Sequence, residues 1–211
     1  MTVRKARVED APAIHELVNR FARKEKMLPL AQKYKCDVVI SVLTDSGCPA
    51  DVELRSESIM NTVSLANEMG IPNEDIWVDP IILPVSGDQV QVGLCLEFMK
   101  IVGDLLPGVK STVGLSNVSN GTPEHLRPML NRTYMVMLDK CGLYSAIADP
   151  LDKELIAINR GERPNVVSII QRVMEGEDVD LASLTPEERD YAKTARVLKG
   201  DILYSHAWLE V

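Results

Sequence analysis

TVGLSNVSNGTPEHLRP, residues 112–128, opens as an apolar run and then stops. Thr112-Val113-Gly114-Leu115 has the composition of a buried strand, and Ser116-Asn117 ends it. Val118-Ser119-Asn120-Gly121 and Arg127-Pro128 are turn formers, and no apolar run resumes until Met129. Three further segments follow the same logic. Cys36-Asp-Val-Val-Ile-Ser-Val-Leu stops at Thr44-Asp45-Ser46-Gly47, and Tyr144-Ser145-Ala146-Ile147-Ala148 stops at Asp149-Pro150. Ile76-Trp77-Val78 is expected to continue through Asp79-Pro80 to Ile81-Ile82-Leu83-Pro84.

Helical periodicity follows each run. Asp51 to Met69 carries Leu54, Ile59, Val63, Leu65 and Met69 near helical spacing, and Gly70 with Pro72 ends it. Val90 to Leu106 carries Val92, Leu96, Met99, Ile101 and Leu105, and Met129 to Leu138 runs on to Cys141-Gly142. Beyond Asp149-Pro150 the chain turns helical at Glu154–Asn159 and Asn165–Met174, and Thr185-Pro186 is a capped helix start. Buried strands alternating with helices predict an α/β fold with a parallel sheet and right-handed crossovers. Polar strand tips mark the edge where a βα barrel builds its active site. A doubly wound open sheet uses the same edge, so the pattern alone leaves both architectures open.

Composition narrows the function classes. The 211 residues carry a formal net charge of −8, which argues against nucleic-acid or anionic-membrane partners, because both need a basic footprint. No run approaches a membrane span, and the start lacks a signal-peptide apolar core. Cys36, Cys48, Cys95 and Cys141 show no metal-ligand spacing, and His15, His125 and His206 form no cluster. Free thiols in a reducing cytoplasm, with no metal site, are the expectation.

WVDPIILP, VGLSNVSNG, LNRTY and SAIADPLD, in that order, resemble the pterin-binding methyltransferases that move a methyl group from methyltetrahydrofolate to the cobalt of a corrinoid protein. That family includes the folate domain of cobalamin-dependent methionine synthase and, more remotely, dihydropteroate synthase. The resemblance runs from about residue 25 to 211 and implies a TIM-barrel-type fold. Only the fifth to eighth units of that barrel match, so a partial barrel of parallel strands with a C-terminal helical extension is expected. Residues 1–24 form a foreign lead, read as a strand over 3–8 and a helix over 11–24. They resemble the opening of a GNAT acetyltransferase, whose Gly-rich pyrophosphate loop is absent.

The resemblance implies a role for each strand tip. Asp79 accepts hydrogen bonds from the amino-pyrimidine edge of the pterin; its bland alternative is an Asp-Pro turn. Asn117 offers its uncharged amide to the nitrogen that loses the methyl group, which must gain a proton or a hydrogen bond as the bond breaks; its alternative is an ordinary turn residue. Gly114, Ser116, Asn120 and Arg127 belong to the substrate-binding set, with a solvated turn as the competing reading for the loop residues. Asp149 stands between a pocket role and a cap on the following helix. Asn131-Arg132 is read as structural, the Arg tying down a neighbouring strand end. Residues 159–190 are expected to cover the partner-binding side.

Two alternatives accompany this reading. A dihydropteroate synthase would want cationic residues at the last two strand ends, which here read Ser116-Asn117-Val118-Ser119 and Ala148-Asp149-Pro150. An inactive pterin-binding fragment is the other. Four units cannot close a barrel, so a homo-oligomer or completion by another chain is expected, burying the strand edges at 36–43 and 144–149.

Overall fold

A computed structural model describes residues 24–210. The lead expected over residues 1–24 lies outside them apart from Lys24, which opens helix α1 (Lys24–Tyr34). The chain then alternates β1 (Val38–Ser41), α2 (Val52–Glu68), β2 (Ile76–Asp79), α3 (Gln89–Leu105), β3 (Lys110–Gly114), α4 (Arg127–Lys140) and β4 (Ser145–Ile147). Helices α5 (Lys153–Asn159), α6 (Pro164–Met174) and α7 (Pro186–Lys199) follow.

The strands form one sheet in the order β1-β2-β3-β4, and each neighbouring pair is parallel. This is a mixed α/β fold compatible with a partial βα barrel. Helix starts are fixed locally. Asp51 accepts the Leu54 N–H at 2.8 Å, Asp88 caps α3, and Thr185 and Glu188 form a reciprocal capping box on α7.

One face of the sheet carries the core. Val38, Ile40 and Val42, Ile76 and Val78, and Val113 are buried against α2, α3 and α4, where Ile59, Val63, Phe98, Met99, Leu130 and Met137 meet them. Each such side chain contributes roughly 1.5–3 kcal/mol of burial. The alternate residues face the other way. Val39 is 59% exposed and Ile147 is 74% exposed, while Trp77, Asp79, Lys110 and Thr112 are half-buried on that same open face.

Two expectations need correction. Strand β2 ends at Asp79 rather than running to Pro84. Pro80 has no N–H to give the ladder, its carbonyl is taken by Arg55, and Ile81 lies in the left-handed region at φ 59°. The apolar stripe of α2 is also rotated. Leu54 and Leu65 are exposed, while Arg55, Ser58 and Thr62 are buried.

The segment 159–190 contributes to the helical layer. Helix α6 buries Val166, Ile169, Ile170 and Val173 and packs on α4 and α7. Trp208 is buried after α7, its Nε1 donating to Thr194 Oγ1 at 2.9 Å.

Arg132 is structural, tying down the helix start that follows β4 rather than the strand end itself. Its Nε and Nη2 grip Asp152, just beyond β4, at 2.8–3.0 Å, and Asp152 also caps α5 through the Leu155 N–H. Burial opposes the Asp152 carboxylate, but these hydrogen bonds outweigh it and hold its carboxyl below the usual range. A depressed carboxyl stabilises the fold above its unfolded pKa and loses that contribution as pH falls through the folded one. Asp152→Ala should therefore cost about 1–2 kcal/mol at neutral pH, read by urea denaturation, with a smaller loss in acid.

Candidate functional site

Because all four strands are parallel, their polar tips share one edge: Ser41, Asp79, Gly114 with the following Ser116-Asn117, and Ile147 with Asp149 beyond it. Strand β3 passes at Gly114 into a short 3-10 turn, Leu115–Ser119, whose Leu115 and Val118 are buried and whose Ser116 and Asn117 are exposed. Two apolar anchors thus hold a polar tip up to solvent.

The glycine leaves room for the fold-back of Asn117. A Cβ at position 114 would stand 3.1 Å from Asn117 Nδ2. With glycine there, the amide lies against the end of β3. Asn117 Oδ1 accepts from Asn120 Nδ2 at 3.4 Å, and among the described residues no acceptor engages Asn117 Nδ2. The side chain is oriented yet keeps a donor to offer.

Arg127 braces the loop from beneath. Its Nε donates to Ser119 Oγ at 3.1 Å, and its Nη2 to Ser116 O at 3.4 Å and Asn120 Oδ1 at 3.3 Å. Ser119 is fully buried and passes its own hydrogen to Ser116 O at 3.1 Å. Arg127 therefore spends its Nε and Nη2 donors on the loop. The loop after β2 is stitched to this one, with Val85 N–H donating to Val118 O at 2.9 Å and Ser86 Oγ to Asn120 O at 2.6 Å. A side chain at Gly121, which has φ 77°, would stand 2.7 Å from Ser86 Oγ, so that close approach needs glycine.

Asp79 occupies the neighbouring strand tip. Ser41 is its register partner on β1, and its Oδ1 accepts the Ile81 N–H at 2.9 Å. Among the described residues its Oδ2 accepts no hydrogen bond. Burial pushes its carboxyl up, and the Ile81 N–H offsets this only in part. This is a half-buried acid with one spare oxygen, facing the uncovered side of the sheet.

Behind it sits Arg55, a residue the sequence reading did not single out. It is fully buried and donates to Pro80 O, to Gln91 Oε1 and, at 3.2 Å, to Cys48 Sγ. None of these partners is a carboxylate, and its Nε has no partner among the described residues. A buried cation is tolerable only where hydrogen bonds replace its hydration. Here two carbonyl-type oxygens do so, and one of them fixes the Asp79-Pro80-Ile81 corner. A β-branched residue in the left-handed region is strained, and the Arg55–Pro80 and Asp79–Ile81 hydrogen bonds hold it there. The available signal was Arg55 itself, four residues before Ile59 on the buried stripe of α2.

Asp149 stands apart from the cluster. It is exposed, and its Oδ1 accepts the Leu151 N–H at 2.9 Å in a local turn; the cap on α5 falls to Asp152. Thus Gly114, Ser116, Asn117, Asn120 and Arg127 form one hydrogen-bonded unit, Asp79 lies on the adjacent strand, and Asp149 lies on the far side of β3. A cleft of about 240 Å³ is found at the opposite, amino end of β3, against Lys100, Lys110 and Tyr144. It shares no residue with the strand-tip cluster.

Parallel βα units with polar tips gathered on their carboxyl edge are compatible with a partial βα barrel, a fold class that builds its sites on that edge. No family model matches the chain. A methylcorrinoid:tetrahydrofolate methyltransferase of Eubacterium limosum is 24% identical over 120 residues, covering 57% of this chain and 44% of that protein. The chain therefore spans less than half the length of that relative. The likeness supports a methyl-transfer role in outline. Among the described residues no helix is long and apolar enough to cross a membrane.

Proposed function

We propose that this chain forms the pterin-holding half of a methyltransferase site that moves a methyl group between a folate and the cobalt of a corrinoid carried by a partner protein. The observation that carries the reading is the pairing, on one edge, of an acid with a spare oxygen at Asp79 and a braced amide with a spare donor at Asn117. The relative's name joins a methylcorrinoid with tetrahydrofolate, and one site serves either direction because the path is the same in reverse.

Each residue has a part. The Asp79 carboxylate takes the paired N–H groups of an amino-pyrimidine ring, a charge-assisted and planar match. As the carbon–nitrogen bond breaks, its electron pair stays on nitrogen, which takes up a proton from solvent, while the reduced cobalt supplies the pair for the new carbon–cobalt bond. The Asn117 amide meets that nitrogen with a hydrogen bond that strengthens as charge gathers there. Gly114 keeps the amide's place open, and Arg127 holds the loop at fixed height. The corrinoid is the partner's substrate group and needs no ligand from this chain.

Titration of methyltetrahydrofolate into the purified chain by calorimetry tests the reading, and no heat of binding at millimolar ligand would sink it. A pH series adds a sign. The raised Asp79 carboxyl protonates at a higher pH than an ordinary aspartate, and the protonated form accepts poorly. Folate affinity should be full near pH 7 and fall on acidification before an ordinary carboxyl would titrate, with proton release on binding inside that window. An affinity flat down to pH 4 would separate Asp79 from the ligand.

A further inference from the structure

We propose that two copies of this chain close a single eight-stranded barrel about a two-fold axis parallel to the strands, each copy covering the open face of the other. The inference goes beyond the proposed chemistry and stands whether or not a pterin binds.

Purely parallel sheets occur almost only with both faces covered. Here the described residues cover one. The other presents Val39 at 59% exposure, Leu43 at 41% and Ile147 at 74%, with Trp77 half-buried between them. Among the described residues β1 and β4 are also unpaired on their outer edges.

Topology suits a second copy. The sheet runs β1 to β4 in sequence order, so its two free edges belong to the first and last strands. A two-fold axis along the strand direction sets β4 of each copy beside β1 of the other, in the same parallel sense, and does so twice. A perpendicular two-fold would oppose the strand directions. Eight strands is also the number at which side chains alone fill a barrel's interior. Charge does not oppose the pairing. The strands turn one acid, Asp79, and one base, Lys110, toward that face, and Lys110 is held over the Trp77 ring at 5.0 Å and 3.7 Å from Asp37. Closure would bring both copies' Asp79 and Asn117 to one mouth, so each candidate site gains its far wall from the partner.

The test uses the full chain at micromolar concentration. Light scattering should give twice the 23.4 kDa chain mass. Acrylamide should barely quench Trp77, read as the difference between the parent and Trp77→Phe, because Trp208 is already buried. Ile147→Asp and, separately, Val39→Asp should give monomers with unchanged far-ultraviolet circular dichroism and a freely quenched Trp77. A monomeric parent would overturn the proposal, as would an assembly other than a dimer, or a dimer whose Trp77 is open to quencher. The parent's mass and quenching decide the matter even where a variant fails to fold.

Discussion

Asp79→Ala should abolish measurable binding of methyltetrahydrofolate while leaving the fold intact. Two charge-assisted hydrogen bonds, each worth roughly 1.5–3 kcal/mol, convert to a loss of about 100- to 10,000-fold in affinity. The fold should survive because Asp79 is not a structural ion pair. Its side chain's one hydrogen bond among the described residues is from the Ile81 N–H, Arg55 still holds that corner through Pro80 O, and burial already disfavours its charge. Asp79→Asn keeps the size and one acceptor but loses the charge, and should bind weakly. Calorimetry with all three chains, beside their thermal melts, checks the prediction. Equal affinity of the parent and Asp79→Ala would remove the residue from the site, and loss of binding with loss of fold would make it structural.

Asn117→Ala should separate binding from chemistry. The folate nitrogen that carries the methyl group is weakly basic, so it is mostly unprotonated near neutral pH and makes a modest ground-state partner. A hydrogen bond that strengthens only as the methyl leaves lowers the barrier more than it tightens binding. By analogy with the loss of one oxyanion-hole donor, transfer to a reduced corrinoid should slow about 10- to 1000-fold, with folate affinity changed by less. Single-turnover transfer followed by corrinoid absorbance, with affinity measured in parallel, gives both numbers. A variant that transfers as fast as the parent would leave Asn117 as a turn residue and end the mechanistic half of the proposal. Because the Asn117 side chain is exposed and contributes one 3.4 Å contact to the loop, its removal should not unfold the turn that Arg127 and Ser119 brace.

The braced loop also explains why a buried strand ends in Ser116-Asn117. Leu115 and Val118 are pulled into the core, and the residues between them have nowhere to go but outward. The break in apolarity that is visible in the sequence is the same fact as the exposed tip seen in the structure. The helix caps were legible for a similar reason: Asp51, Thr185 and Pro186 act on residues within one turn of themselves. Strand-and-helix alternation gave the parallel sheet, because a parallel crossover needs the length of a helix between its strands.

What the sequence determined, then, is whatever depends on near neighbours: four strands, the helices between them, their caps, and the polar tips that share an edge. Tertiary structure alone decided the rest. The pattern extended β2 past Asp79, yet Arg55, 25 residues upstream, takes the Pro80 carbonyl and turns the chain at Ile81. The same arginine occupies the buried stripe of α2 where periodicity had put Leu54 and Leu65, because an acceptor waits for it there and not on the solvent side. The resemblance reads Arg127 only as a substrate-binding residue, and three loop oxygens engage it as well. Asp149 looked like a helix cap and yields that place to Asp152, which Arg132 holds in position from α4. In each case the deciding partner lies beyond the reach of a local pattern, from the next loop to a distant helix. A local pattern names the group that must be satisfied, and only packing chooses which distant group satisfies it.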